Sequence, residues 1–474
     1  MLWKGSHLIA RARALLARRF IQDTLILQAG KIGSVILSLI SSLLVWRLMG
    51  AHDFGIYGWA QTFLGLWLAL DLTGIGPSTG TRLAMAIGAR DDREILNLMA
   101  FYMQVTLTFT LGLVTLILLL SPMITDAWYG DRHIGELAGL LSLGLIADDF
   151  YMLVTTSLQA RRSMKTLALM QNANQFVLTT CLIAAVLISP TPEALVIGRL
   201  VYSYSTLLMA LIVYHRTRTR GDLPFPPLVT VMKRTRTLSP RPYWKFGVAN
   251  ALDKNVTALF SQIPMQIVGV VGGASAVGYL TLASAGIAQA SVLSSAVFDN
   301  MQAVVPQMVG RGDYVGLRRN FLRVLIALIV LAVVFYGVVA VTAPIFIPPL
   351  LGAEWIPAIA PLLVLCVYGV ITGFGGVFGS LYRSFNLVWK IVAAKVVTLA
   401  IMLPLGAVLL LAGTQTALRP YGEIAAQVIP AQYLVSDAAA TGGALTIVGI
   451  YALSVTLTAI ITLPVLEKKA HENA

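Results

Sequence analysis

The chain has 474 residues, of which 57% are hydrophobic and only 12% charged, and its formal net charge is +13. A mean hydropathy of +0.81 excludes an ordinary soluble domain, because the apolar runs recur along the whole chain. The histidines and cysteines show no metal-ligand spacing, and neither a Walker loop nor a GxSxG elbow is present. The sequence therefore predicts no metal site, no cofactor and no enzyme.

About twelve apolar segments are long enough to cross a bilayer, since a span needs roughly 20 apolar residues. Continuous apolar runs favour helices over a barrel, whose strands alternate polar and apolar residues. The predicted fold class is an all-α polytopic membrane protein. The predicted spans cover about 25–48, 55–77, 98–121, 136–158, 166–189, 194–214, 246–270, 277–298, 321–343, 358–381, 388–412 and 440–464.

The predicted spans form two groups of six on either side of a basic, proline-containing segment. Because six is an even number, both groups insert in the same orientation, and we expect two lobes related by a pseudo-twofold axis along the membrane normal. The predicted organisation is a cytoplasmic basic amphipathic arm (1–21), an N-lobe with spans 1 to 6 (22–215), a cytoplasmic basic linker (216–242), a C-lobe with spans 7 to 12 (243–466) and a cytoplasmic tail (467–474).

The positive charge alternates along the chain. Bases cluster before the first span, in the linker and in every second loop, whereas the intervening loops carry mainly acidic residues. Because basic loops stay in the cytoplasm, this pattern predicts a multi-pass protein of the bacterial inner membrane with both termini inside, in contact with membrane lipids. Topology thus explains the charge, and nucleic acid is not predicted as a partner.

Two stretches of the chain repeat each other at a spacing of 223 residues. Several of the matches are polar residues inside apolar segments, where chance agreement is less expected. The paired positions are Lys31 with Lys254, Ser34 with Thr257, Ser38 with Ser261, Gly50 with Gly273 and Gly55 with Gly278. The sequence therefore predicts a duplicated helical bundle.

Ionisable residues inside the predicted spans are the first candidates for function, because charge in hydrocarbon is costly. Lys31 and Asp71 have matching depth on antiparallel neighbours, which leaves open a purely structural ion pair. Lys254 has the same depth, but the residue equivalent to Asp71 is Ser294. Asp253 points about 100° away around the helix and is a poor substitute. Lys254 is therefore predicted to lack an acidic partner.

We expect a central cavity, open to the cytoplasm, that attracts a phosphate-bearing ligand. The candidate lining residues are Lys31, Lys254 and Lys395, with Arg82 and Arg383 near the mouth and Gln28 and Asn250 on the polar faces of spans 1 and 7. The acidic candidates Asp71, Asp148 and Asp149 either form ion pairs or take up a proton or sodium ion for coupling. Because the sequence shows no nucleotide-binding site, transport would draw either on an H⁺ or Na⁺ gradient or on ligand binding.

Four short motifs follow each other in order along the chain. They are LMGAHDFGIY at 48–57, LDLTGIG at 70–76, LQARR at 158–162 and YWKFG at 243–247. Together they resemble the Wzx-type polysaccharide biosynthesis flippases of the multidrug/oligosaccharidyl-lipid/polysaccharide (MOP) exporter superfamily, and the resemblance covers most of residues 22–464.

The resemblance implies a V-shaped, MATE-like pair of six-helix lobes that works by alternating access. The implied substrate is a lipid-linked oligosaccharide, carried on undecaprenyl diphosphate, for O-antigen of lipopolysaccharide, capsule or exopolysaccharide synthesis. The polysaccharide polymerase machinery is an implied partner. A cationic cavity is typical of this family, and here that expectation falls on Lys31, Lys254, Lys395, Arg82 and Arg383.

Three alternatives remain open from the sequence. A multidrug or cation antiporter of the same superfamily would need acidic residues such as Asp71 and Asp149 to dominate the cavity. A peptidoglycan-precursor flippase would have additional C-terminal helices, which are not visible before the end of this sequence. A membrane-bound glycan polymerase or ligase would need a large outer loop with clustered catalytic groups, for which the loop at 413–441 is a weak candidate.

Overall fold

The structure of the protein is a computed structural model. This structure describes residues 19–71, 75–161, 163–219, 225–310, 312–411 and 437–472. Within these ranges, the side chains that lie outside the description are those of 19–32, 75–78, 81, 88, 164, 241–250, 290–296, 299–300, 302–303, 307, 310 and 409–411. The predicted arm therefore falls almost wholly outside it, as does most of the loop at 413–441.

All regular secondary structure among the described residues is helical, and these residues contain no strand. The first six spans and the linker comprise Arg19–Leu68, Ile75–Ala89, Asp92–Val105, Thr106–Thr110, Leu111–Tyr129, Arg132–Ser142, Gly144–Ala160, Met164–Ile188, Pro192–Thr217 and the linker helix Leu228–Thr235. The last six comprise Arg241–Gly310, Tyr314–Leu351, Ala353–Ala358, Ile359–Gly375, Val377–Ser384, Val388–Leu411 and Ala438–Glu472.

Two glycines divide the longest helices. Gly50 has φ 74° and ψ 172°, and Gly273 has φ 72° and ψ −171°. Residues with a Cβ rarely adopt such a positive φ, so glycine allows a one-residue turn between two helices. Ten helices among the described residues are long and apolar enough to span a membrane, and dividing two of them at these glycines gives twelve spans. The expected fold class is confirmed.

Packing shows that both glycines reverse the chain. A Cβ at Gly55 would meet Ala274 and Gly278, and one at Gly58 would meet Thr281, so residues 51–68 and 274–310 run in the same direction. A Cβ at Gly65 would instead meet Gln262. Because Trp59 contacts Gln266, the segment before Gly273 runs opposite to 51–68. Ser38 contacts Gln289, whereas Gly55 faces Ala274, so the segment before Gly50 runs opposite to 274–310 and hence to 51–68. Each turn therefore joins two antiparallel spans.

The two lobes meet along an approximate twofold axis. A Cβ at Gly55 would collide with the carbonyl oxygen of Ala274, and a Cβ at Gly278 would collide with that of Ala51. These two contacts are exchanged by the 223-residue spacing, since it relates Ala51 to Ala274 and Gly55 to Gly278. The reciprocal contact is what a parallel internal repeat produces where its axis passes between the halves.

The second span is interrupted, as the glycine-rich motif at 70–76 predicts. One helix ends at Leu68 and the next begins at Ile75. Asn255 of span 7 donates hydrogen bonds from Nδ2 to the carbonyl oxygens of Ala69 (3.0 Å) and Asp71 (2.6 Å). The C-lobe thus satisfies backbone acceptors that the helix break leaves free, which is the condition for a broken helix inside a membrane.

Candidate functional site

A cavity of about 490 Å³ lies inside the C-lobe. It is enclosed by spans 7, 8, 10, 11 and 12, and its wall combines charged groups, hydroxyls and aromatic rings. Its lining residues are Asp253, Lys254, Thr257, Phe260, Phe298, Thr372, Gly375, Gly376, Phe378, Gly379, Ser380, Tyr382, Arg383, Lys395, Tyr451, Ser454, Val455 and Thr458. We call this cavity the C-lobe pocket.

One buried carboxylate organises the charged side of the C-lobe pocket. Asp253 is 4% exposed and accepts hydrogen bonds from Lys395 Nζ (2.6 Å), Tyr382 Oη (2.8 Å) and Arg383 (3.4 Å). Lys395 also donates to Thr257 Oγ1 at 2.8 Å. Three donors from spans 10 and 11 therefore converge on span 7, and the carboxylate is both paired and hydrogen-bonded, as burial requires.

Lys254 stands apart from this network. It is exposed to the pocket, and no described residue forms a hydrogen bond or ion pair with its ammonium group. The pocket thus contains three cations, Lys254, Arg383 and Lys395, and one carboxylate, Asp253. Its formal charge is two units positive, in a part of the molecule surrounded by apolar spans. Such a pocket attracts anions.

The N-lobe provides a natural comparison for these charges. Ser34 donates to Asn172 Oδ1 at 3.0 Å, and the 223-residue spacing relates these two residues to Thr257 and Lys395. The C-lobe pair is also hydrogen-bonded, but in the opposite direction, because Lys395 donates to Thr257. The N-lobe positions equivalent to Asp253, Tyr382 and Arg383 are Gly30, Gln159 and Ala160. A neutral pair therefore suffices to join the equivalent helices, and packing alone does not explain the charges of the C-lobe.

The structure brings three of the predicted cavity residues together and corrects the expected position of the cavity. Lys254, Lys395 and Arg383 line one pocket, but that pocket is walled by the C-lobe and not by both lobes. Asp253 pairs with Lys395, a contact that the sequence did not predict. No described residue forms an ion pair with Lys254.

The remaining cavity candidates lie elsewhere. Arg82 is half-buried on the helix Ile75–Ala89 of the N-lobe and does not line the C-lobe pocket. The side chains of Gln28, Lys31 and Asn250 are outside the described ones. Sequence reasoning missed Tyr382, whose hydroxyl donates to Asp253. Tyr382 could have been predicted as a pocket residue because it is next to the candidate Arg383 at the end of span 10.

Two of the three acidic candidates of the N-lobe, Asp148 and Asp149, lie in different environments. Asp148 pairs with Arg199 at 3.1 Å and accepts from Ser203 Oγ at 3.0 Å, so it is an ion-pair residue. Asp149 accepts a hydrogen bond from Thr110 Oγ1 at 2.7 Å, and no described base pairs with it. The sequence analysis did not identify Arg199 as a candidate. It lies inside the predicted sixth span, so the same argument from its depth in the membrane that singled out Lys31 would have identified it.

The lobes are also joined by a buried polar cluster, which we call the interlobe clasp. Gln266 of span 7 is 6% exposed, and its Oε1 accepts from Trp59 Nε1 (2.8 Å) and Tyr129 Oη (2.9 Å). Its Nε2 donates to Thr62 Oγ1 at 2.8 Å. The Gln266 amide therefore reaches three N-lobe side chains. Because Tyr129 ends the helix of span 3 just before a loop that the charge pattern predicts to be outside, the predicted topology assigns the clasp to the outer half of the interface.

The residues that the structure describes contain no group of three or more His, Cys, Asp or Glu side chains suited to a metal ion. Both cysteines are free, Cys366 being buried and Cys181 half-buried.

Comparisons with solved structures show the fold. An inward-facing multidrug resistance MATE transporter of the MOP superfamily is 14% identical with a TM-score of 0.67, over 95% of this chain and 100% of that chain. An outward-facing MATE transporter of the MOP superfamily is 15% identical with a TM-score of 0.63, over 94% and 96%. A MOP superfamily transporter from Pyrococcus furiosus, described with a binding pocket of reverse polarity, is 13% identical with a TM-score of 0.62, over 94% and 96%.

No curated protein sequence matches the chain. A family model described as "Polysaccharide biosynthesis protein" matches residues 44–360, which is more than half of the chain and crosses both lobes. This protein therefore belongs to the polysaccharide biosynthesis protein family and is a multi-pass membrane protein with the fold of the MOP-superfamily exporters.

Proposed function

We propose that the protein is a flippase, not an enzyme, which moves an undecaprenyl-diphosphate-linked oligosaccharide from the cytoplasmic to the outer leaflet of the bacterial inner membrane. The membership in a polysaccharide biosynthesis family and the transporter fold support this reading. A diphosphate with several sugars cannot cross roughly 30 Å of hydrocarbon unaided, whereas its lipid tail can remain in the bilayer. The protein needs only to bind and carry the head group.

The C-lobe pocket is the observation that carries the proposal. Its excess of two positive charges suits a diphosphate, and no described residue occupies the ammonium group of Lys254, which can bind one. Ser454, Thr458 and Thr372 add hydroxyl groups to the wall, which suit sugars. Hydrogen bonds to charged groups contribute about 1.5–3 kcal/mol each, so one lysine changes affinity substantially.

The position of the pocket agrees with loading from the cytoplasm. Arg383 ends span 10 beside a loop predicted to be cytoplasmic, and Lys395 lies about 10 Å along span 11 at 1.5 Å per residue. The interlobe clasp holds the lobes together on the opposite half of the molecule. We infer that this conformation receives substrate inside, and that opening of the clasp belongs to its release outside.

The rival functions fit the pocket less well. A multidrug or cation antiporter binds positive ligands, which an excess of two positive charges repels. A glycan polymerase or ligase needs positioned catalytic acids, bases or a nucleophile, and the described acidic residues near the pocket reduce to Asp253, which already has three donors.

Replacing Lys254 tests the proposal. Because Lys254 has no described partner, Lys254→Gln removes a charge without leaving another group unpaired, and we expect binding of undecaprenyl diphosphate to weaken about ten- to hundredfold. Surface polysaccharide should fall while the lipid-linked precursor accumulates in the cytoplasmic leaflet. The control is Lys390→Gln, which removes an exposed base of the same lobe that does not line the pocket. Normal polysaccharide and unchanged binding in Lys254→Gln would refute the assignment of this pocket.

A further inference from the structure

The basic linker between the lobes is fixed to the N-lobe along part of its length. Phe225 and Val231 are buried, at 4% and 0% exposure. Tyr214 of span 6 donates a hydrogen bond to the carbonyl oxygen of Pro226 at 2.8 Å and stacks on Phe225 at 6.3 Å. The linker helix Leu228–Thr235 therefore has a defined position against the end of span 6.

Docking of the linker creates a groove beside the end of span 6. The groove has a volume of about 560 Å³ and lies between 211–218 on one side and 227–229 on the other. His215, Arg216 and Arg218 line it, and none of these bases forms an ion pair with a described acidic residue. Span 6 begins at Pro192, so Arg216 lies about 36 Å along the helix, which is the length needed to reach the membrane surface.

The same groove continues onto an exposed apolar surface of span 6 and the linker helix. Ile212 and Val229 line it and are exposed, at 44% and 65%. One turn further up span 6, Leu208 is 61% exposed, and Met232 extends the exposed apolar face of the linker helix. The groove thus combines cations at the depth of phosphate head groups with apolar walls at the depth of acyl chains.

We propose that this groove binds one anionic phospholipid of the cytoplasmic leaflet. Its phosphate lies against Arg216 and Arg218, and an acyl chain lies along Ile212. The simpler alternative is that these bases only set the topology of the chain, as Lys and Arg in any cytoplasmic loop do. That role requires no concave site, and Lys233 and Arg236, which are exposed on the same linker and do not line the groove, fulfil it equally well.

The test compares two double variants of the full-length protein. Arg216→Gln/Arg218→Gln removes the phosphate-binding charges, and Lys233→Gln/Arg236→Gln removes the same charge from linker positions outside the groove. Each protein is purified in detergent, and phosphatidylglycerol and phosphatidylcholine are added separately. Native mass spectrometry counts the retained lipids, and glycerol phosphate is the competitor. Gel filtration checks that both variants remain folded.

We expect one phosphatidylglycerol to be retained by the natural protein and by the Lys233/Arg236 variant. Its affinity should fall about thirtyfold in the Arg216/Arg218 variant, as the loss of two bases near a membrane surface implies. Equal retention of phosphatidylcholine would overturn the proposal, as would equal loss in the two variants. Complete displacement by glycerol phosphate at equal concentration would also overturn it, because the site would then bind a free phosphate and not a lipid.

Discussion

At Asp253, a single buried carboxylate holds together three helices and one side of a pocket. Its partners Lys395, Tyr382 and Arg383 come from spans 10 and 11, and only Arg383 is well exposed. A buried ion pair contributes little net stability by itself, but removing one partner leaves the other charged and without compensation. The two lysines of the pocket therefore differ: Lys254 is available to a ligand, and Lys395 is tied to the protein.

This difference predicts unequal effects on stability. Lys395→Ala should lower the free energy of unfolding by about 3–5 kcal/mol, because Asp253 remains buried without its main partner. Lys254→Ala should change it little. The double variant Asp253→Asn/Lys395→Gln keeps a neutral hydrogen-bonding pair, as Ser34 and Asn172 do in the N-lobe, and should recover most of the loss. Thermal unfolding in detergent measures all three, and equal melting temperatures for the two single variants would contradict the assignment.

The sequence predicted individual charges better than their partners. The sequence predicts that Lys254 lacks an acidic partner, because the repeat places Ser294 where the N-lobe has Asp71, and no described carboxylate pairs with Lys254. The pairing of Asp253 with Lys395 was not visible, since helix geometry fixes angles within one helix and not the faces of its neighbours. Asp148 with Arg199 shows the same limit, because each residue lies in a different span.

At the scale of single elements, the π-helical turn Thr106–Thr110 places a hydroxyl group against the acidic candidate Asp149. It interrupts span 3 between two α-helical segments, and π-turns of this kind are frequent at functional sites. Thr110, at the end of the turn, donates to Asp149 of span 4, while the backbone oxygen of Asp149 accepts from Tyr102. No sequence pattern predicts this turn, because its residues are also compatible with an α-helix.

Asp149 is therefore the better coupling candidate of the acidic pair. Its carboxylate has no described base, whereas Asp148 is occupied by Arg199. We expect Asp149→Asn to remove the dependence of flipping on an H⁺ or Na⁺ gradient, so that the gradient-driven flipping rate falls about tenfold or more. Binding of undecaprenyl diphosphate in the C-lobe should remain. Flipping in reconstituted vesicles with and without each gradient measures this. Asp148→Asn is the control, and gradient-driven flipping that survives in Asp149→Asn would exclude coupling through this residue.

At the scale of the whole molecule, the two lobes share a fold and differ in charge. The duplication could be predicted from the sequence, because a fixed spacing of 223 residues survives at turns and polar positions, and the one-residue turns at Gly50 and Gly273 confirm it. The interlobe clasp could not be predicted. The 223-residue repeat does not include its members Trp59, Tyr129 and Gln266. Their contacts depend on the relative orientation of the two lobes.

Alternating access requires the outer half of this interface to separate, and a cross-link tests that directly. Gly58 and Thr281 are equivalent by the repeat and face each other across the axis, with 3.5 Å between a Cβ at Gly58 and the Cβ of Thr281. That distance suits a disulfide. In a chain with Cys181 and Cys366 replaced by alanine, we expect Gly58→Cys/Thr281→Cys to stop flipping when oxidised and to regain it on reduction.

The matched control joins two spans of the same lobe. A Cβ at Gly443 of span 12 lies 3.6 Å from the Cβ of Val268 of span 7, so Gly443→Cys/Val268→Cys forms a bond of similar geometry without joining the lobes. Flipping in reconstituted vesicles should be indifferent to oxidation of this pair. If the interlobe bond forms and flipping continues, the outer half of the interface does not open during transport. The clasp around Gln266 would then be a permanent joint, and substrate would have to leave by another path.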